Sequence, residues 1–210
     1  MERLATGVSV LDRQLNGGLP AGSVVVLTAD PASQSELFLN TFTTVRETLY
    51  LTTVRSAAAV EDGFERSTTA VGDPTVLRID DDAPIQDASA QLASMAERST
   101  LIVDSVGPLE RAEPADSAAY RRFLDDLRER VRETDSIAVL HALKHDGDVD
   151  NRVISQQVAD VVFDLRTTTA GTEIINRLAI SKVRGGAALE ETLKLKLTDS
   201  VTVDTSRDIA

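Results

Sequence analysis

The sequence predicts an α/β fold: a mostly parallel sheet with helices on both faces, followed by a C-terminal antiparallel meander. Three observations carry this expectation. Short apolar, β-branched runs alternate with segments of helical periodicity. The tail changes character: Leu193, Leu195 and Leu197 alternate with Lys194, Lys196 and Thr198, as a sheet with one buried face requires. The 210 residues hold no Pro-rich linker, internal repeat or low-complexity tract, which suits a single domain over residues 1–210 with one large core.

Taken in order, Ser23 to Thr28 reads as a buried strand and Glu36 to Thr43 as a short helix. Thr48 to Thr53 is a second strand, Ala57 to Phe64 a helix and Thr75 to Ile79 a third strand. Asp80, Asp81 and Asp82 form the densest charge run and read as a solvated turn, because Ala83-Pro84 follows and Ile85, Ala88, Leu92 and Met95 then recur at helical spacing. Thr100 to Asp104 is the next strand. From Asp116 to Arg132, Tyr120, Phe123, Leu124, Leu127 and Val131 fall on one helix face, with Asp116 as N-cap. Strand Ser136 to His141, a short helix over Arg152 to Val158 and strand Val161 to Leu165 follow. The meander is expected over Thr172 to Val183, Thr192 to Thr198 and Val201 to Asp204.

Composition excludes several chemistries. The chain has no cysteine, which removes disulfides, thiolate metal sites and thiol nucleophiles. No apolar run approaches the roughly 20 residues of a membrane span, and Glu2 and Arg3 follow Met1 without an apolar secretory region, so a cytoplasmic location is expected. The net charge is −12, from 34 acidic against 22 basic residues. Lysine occurs only at positions 144, 182, 194 and 196, so 18 of the basic residues are arginine. An acidic, Lys-poor chain suits a cytoplasm at molar salt, where hydrated carboxylates keep a surface soluble. Diffuse binding to nucleic acid is disfavoured by the same charge, and aromatic residues, at 3%, offer no stacking platform.

In an α/β sheet, ligands bind beyond the carboxyl ends of the strands, commonly at the turn after the first one. Here that turn runs through Thr28, Ala29, Asp30, Pro31, Ala32, Ser33, Gln34, Ser35 and Glu36, placed like a phosphate-binding loop G-x-x-x-x-G-K-[ST]. Other segments extend the likeness. Thr6-Gly7-Val8-Ser9-Val10-Leu11-Asp12 and Gly17-Gly18-Leu19-Pro20-Ala21-Gly22 resemble the opening of RecA/KaiC-like ATPases. Leu101-Ile102-Val103-Asp104-Ser105 is similar to that family's second nucleotide motif, and Ser181-Lys182-Val183-Arg184-Gly185 to the late K-x-R-G element of its KaiC branch. The resemblance covers Thr6 to about Asp204, with every element in family order. It implies a RecA-like core.

The resemblance also implies that the nucleotide chemistry is eroded. On this alignment Ala29 and Gln34 replace the two loop glycines, Ser35 the phosphate-binding lysine and Glu36 the magnesium-binding hydroxyl. Glycine is needed there because successive backbone N–H groups must approach phosphate closely. Where the family carries paired glutamates that activate water, this chain has Val54 and Arg55. Asp104 would sit beside the old metal position, where it and Glu36 either form a nucleotide-free divalent site or leave Asp104 capping a turn, one carboxylate solvated or with a raised pKa. Lys182 and Arg184 correspond to residues that reach a neighbouring subunit's phosphate, against the plainer reading of a basic strand end. His141 and His145 are expected as solvated loop histidines, and no Ser–His–Asp arrangement is evident from spacing.

The expected function is therefore a catalytically inactive, regulatory or protein-interaction RecA/KaiC-like domain, a pseudo-ATPase with no metal and no cofactor, Mg-ATP being disfavoured. Its partner would be a protein, such as an active KaiC-like or RecA-like paralogue, with neither membrane nor nucleic acid involved. The alternatives are an ATP-binding switch that does not turn over and a recombinase-paralogue mediator of DNA repair.

Overall fold

A computed structural model describes residues 2–111, 117–144, 150–185 and 190–204. Its centre is a nine-stranded sheet. Six strands run parallel: β3 (Ser23–Ala29), β4 (Thr48–Thr52), β5 (Thr75–Arg78), β6 (Thr100–Asp104), β7 (Ile137–Leu143) and β8 (Val161–Ala170). Three more, β9 (Glu173–Val183), β10 (Leu193–Leu197) and β11 (Val201–Val203), continue the sheet antiparallel. The order across it is β11-β10-β9-β8-β3-β7-β6-β4-β5. The expected α/β class and its closing meander are both present.

The central strands are apolar on both sides because helices cover both faces. On one face α1 (Ser9–Gln14), α2 (Glu36–Thr43) and α3 (Ala57–Glu65) pack Leu11, Phe38, Phe42 and Val60 against Val25, Leu27 and Ala29 of β3. On the other, α4 (Pro84–Gln91), α5 (Gly107–Glu110), α6 (Ser117–Glu133) and α7 (Asp150–Val158) pack Ala88, Leu109, Tyr120, Phe123, Leu127 and Ile154 against Val24 and Val26. Phe38, Phe42 and Phe123 are fully buried, and each contributes about 1.5–3 kcal/mol through burial.

The N-terminal motif is structural. Strands β1 (Arg3–Leu4) and β2 (Leu19–Pro20) form a two-stranded antiparallel ribbon. Thr6 donates both its N–H (2.6 Å) and its hydroxyl (2.8 Å) to Asp12 Oδ1, which fixes the entry to α1. Gly18 has φ +118°, and a Cβ there would lie 2.2 Å from the Leu4 carbonyl oxygen. Only glycine fits that position.

Several boundaries differ from expectation. β8 runs on to Ala170 rather than ending at Leu165, because Ala170 pairs with Glu173 around a two-residue turn in which Gly171 takes φ +61°. Its polar end, Arg166 to Ala170, buries little and so lacks an apolar signature. β7 extends past His141 to Leu143 because β3 still pairs with it there, Thr28 with Ala142 and Ala29 with Leu143. The expected N-cap Asp116 and the loop histidine His145 lie outside the described residues. No helix among the described residues is long and apolar enough to cross a membrane.

Candidate functional site

The carboxyl ends of β3, β4, β6 and β7 converge under the N-terminus of α2. The chain leaves β3 over one face, through α2, and leaves β7 over the other, through α7. A crevice between two such strands is where open α/β sheets place ligands.

The loop after β3 is anchored where it leaves the strand. The Ala29 carbonyl accepts from Lys144 N–H at 2.8 Å, and Asp30 Oδ2 accepts from Thr167 N–H at 2.8 Å. Lys144 Nζ reaches Asp164 at 2.6 Å and lies 3.6 Å from Asp30. Pro31, Ala32 and Gln34 are exposed, while Ser33 N–H closes a turn onto the Asp30 carbonyl at 2.9 Å. Ser35 is buried at the N-cap of α2 but makes no capping hydrogen bond with its side chain.

Its hydroxyl is engaged elsewhere. Ser35 Oγ lies 3.1 Å from His141 Nε2, and His141 Nδ1 lies 2.7 Å from Asp104 Oδ1. The other Asp104 oxygen, Oδ2, accepts from the Tyr50 hydroxyl at 2.6 Å and from Arg55 Nη2 at 2.9 Å. Arg55 Nη1 is 3.2 Å from Glu36 Oε1. One guanidinium thus joins the two carboxylates that the sequence placed near each other, and Asp104 is the hub of a buried network.

The electrostatics follow from that arrangement. Burial on its own would raise the Asp104 pKa, but hydrogen bonds from His141 and Tyr50 and the charge of Arg55 outweigh it and hold the carboxyl at about 2. Burial also pushes the Tyr50 phenol well up, and the neighbouring Asp104 adds to this. Burial opposes the charge on Arg55, yet Glu36 and Asp104 prevail and raise its pKa. Of the two carboxylates, Glu36 is the solvated one, its side chain 60% exposed, while three donors fix the buried Asp104 in the ionised form.

Because the folded pKa lies below the ordinary 3.8, this stabilisation is complete above the unfolded value and is lost as pH falls through about 2. The shift corresponds to about 2 kcal/mol. Urea unfolding between pH 5 and 2 should show a steeper loss of stability in the wild type than in Asp104→Asn. Equal slopes would show that Asp104 is not held this way.

Residues 3–210 match the profile of DUF7125, described as a family of unknown function. The chain belongs to that family. No curated protein matches it.

The remaining predicted positions of this DUF7125 protein lie apart from the cluster or complete its walls. Ser105 donates its N–H to Thr53 Oγ1 at 3.1 Å and accepts from the same hydroxyl at 2.7 Å, tying β6 to the end of β4. Lys182 Nζ donates to the Gln156 and Gln157 carbonyls at 2.8 and 2.9 Å, and Arg184 Nε binds Asp160 at 2.7 Å. Both cations therefore cap the C-terminal end of α7, where positive charge complements the helix dipole. The expectation for His141 is corrected. It is 3% exposed and lies within β7, not in a solvated loop. The residues that spacing alone did not join are Ser35, Asp104 and His141. The available signal was parity: His141 alternates in step with Ile137 and Val139, and Asp104 with Ile102, all on the α2 face. Asp80 to Asp82 are exposed, as expected, and no group of metal-ligating side chains occurs among the described residues.

Proposed function

We propose that this protein is a RecA/KaiC-like domain that binds nucleotide at best weakly and does not hydrolyse it, and that it serves as a regulatory or interaction module for a protein partner, such as an intact KaiC-like or RecA-like paralogue, in a cytosol of high salt. The observation that carries the reading is Arg55. Its guanidinium bridges Glu36 and Asp104, the two positions that a nucleotide-binding relative would devote to the metal. The residues present do not fit Mg-ATP. A divalent cation would have to displace Arg55 from both carboxylates, and Ser35 offers no charge to a phosphate. Two unit charges at about 4 Å interact by roughly 4 kcal/mol at an effective dielectric near 20. Losing the lysine at Ser35 and gaining a carboxylate at Glu36 beside phosphate would remove much of the about 8 kcal/mol that micromolar binding requires. Phosphoryl transfer depends almost wholly on such placed charge.

The order of motifs from Thr6 to Asp204 and the parallel core with its sheet extension support the RecA-like part of the proposal. The test is calorimetry with Mg-ATP at molar KCl. Binding no tighter than about millimolar is expected, near 4 kcal/mol. A variant carrying Ala29→Gly, Ala32→Gly, Gln34→Gly, Ser35→Lys and Glu36→Thr should bind measurably and still not turn over, since Val54 and Arg55 supply no general base. Micromolar ATP binding by the unmodified chain would overturn the proposal.

A further inference from the structure

We infer that Ser35, His141 and Asp104 form a nucleophile–base–orienter set, and that the cavity above them is a serine acyl-transfer site for short-chain carboxylic esters. The inference is independent of the nucleotide reading, because the contacts it rests on need neither a bound nucleotide nor a metal.

The two contacts have the required sense. Asp104, ionised at neutral pH, only accepts hydrogen bonds, so the 2.7 Å contact makes His141 Nδ1 the donor. In the neutral ring that leaves Nε2 with a lone pair, 3.1 Å from Ser35 Oγ, to receive the hydroxyl proton. This is the geometry by which a weak hydroxyl nucleophile is activated. Tyr50 and Arg55 hold the far oxygen of Asp104, which fixes the carboxylate that orients the ring. Ser35 is at a helix N-cap, where serine ordinarily binds a backbone N–H; here the side chain leaves that role unfilled.

Further observations point to a ligand. A cavity of about 200 Å³ is lined by Ser33, Ser35, Val54, Asp104, His141 and Leu143 among others, so the set forms its wall rather than an enclosed core contact. Ser33 Oγ, on the same wall, is a buried hydroxyl with no partner among the described residues. The Glu36 amide, at the first turn of α2, donates to no acceptor among the described residues, and it follows the nucleophile directly, where an oxyanion needs a donor. The small volume and the apolar Pro31, Val54 and Leu143 select an acyl group of few carbons. A second cavity of about 480 Å³ shares Pro31, Val54, Ser105 and Leu143 and gives room for the alcohol portion.

The reaction balances with water alone. Ser35 Oγ attacks the ester carbonyl carbon as His141 Nε2 takes its proton. The bond from that carbon to the alcohol oxygen breaks, and His141 returns the proton to the departing alcohol. Water, deprotonated by His141, then attacks the acyl-serine and releases the carboxylic acid, restoring the Ser35 hydroxyl.

A fluorophosphonate probe on the folded protein at molar KCl, followed by peptide mass mapping, tests this, with p-nitrophenyl acetate as the turnover substrate. A single adduct on Ser35 is expected, together with an ester hydrolysis rate that Ser35→Ala abolishes. His141→Gln should slow labelling by at least about 100-fold, the lower range for a lost general base, while its circular dichroism matches the wild type. No adduct on the folded wild type, an adduct at another residue, or labelling unchanged in His141→Gln would each overturn the inference. Should His141→Gln fail to fold, the wild-type adduct decides alone.

Discussion

Replacing Arg152 with methionine is expected to destabilise the fold by about 3–5 kcal/mol, the range for leaving one member of a buried ion pair without its partner. Glu110 closes α5 just after β6, and its side chain is wholly buried. Its carboxylate accepts from Arg152 Nε at 2.9 Å on each oxygen and from Ser155 Oγ at 2.7 Å, and Arg152 Nη2 lies 2.8 Å away. Arg152 also reaches the Leu143 carbonyl at 3.3 Å. The pair therefore joins the end of β6 to the end of β7, the two strands that carry Asp104 and His141. Chemical denaturation measures the loss, and adding Glu110→Gln to Arg152→Met should recover a large part of it by removing the stranded charge. A cost below about 1 kcal/mol, the level of an exposed pair, would mean that Glu110 is solvated. A second consequence separates this pair from an inert staple: with the ends of β6 and β7 loosened, the contact from His141 to Ser35 should weaken and fluorophosphonate labelling should slow.

The sheet was legible because its strands are buried on both faces and so read as unbroken apolar runs, from Ser23 to Ala29 and from Thr100 to Asp104. The polar end of β8 was not, since Arg166 to Ala170 is held by a hairpin partner and a glycine turn rather than by burial. At the site, the loop and Asp104 could be placed from the sequence because both follow strand ends. Two features required the third dimension. Arg55 stood in the sequence as the absence of a catalytic base, whereas in space it is the cation between Glu36 and Asp104. His141 lies 106 residues from Ser35 and 37 from Asp104, and only the parallel register of β6 against β7, which pairs Asp104 with His141 directly, brings them together. Spacing along a chain carries no record of which strands become neighbours.

Dilution from molar KCl to about 0.1 M is expected to lower the melting temperature by about 10 °C or more, equivalent to roughly 3 kcal/mol for a domain of this size. The Debye length grows over that range from about 3 Å to about 10 Å. Attraction and repulsion both strengthen as it does. Exposed pairs such as Arg98–Glu2 and Arg66–Asp62 gain, but exposed ion pairs contribute only about 0.2–1 kcal/mol each. Acidic residues exceed basic ones by 12, so many carboxylates have no cation left to pair with. Their placement makes the repulsion local: Asp80, Asp81 and Asp82 are consecutive and exposed, and Glu61 and Glu65 lie one turn apart on the outer face of α3. At about 3 Å such neighbours are screened from one another; at about 10 Å each interacts with several. Scanning calorimetry across a KCl series measures the balance. A melting temperature that holds or rises on dilution would mean that the ion pairs prevail, and the high-salt cytosol would then lose its physical basis.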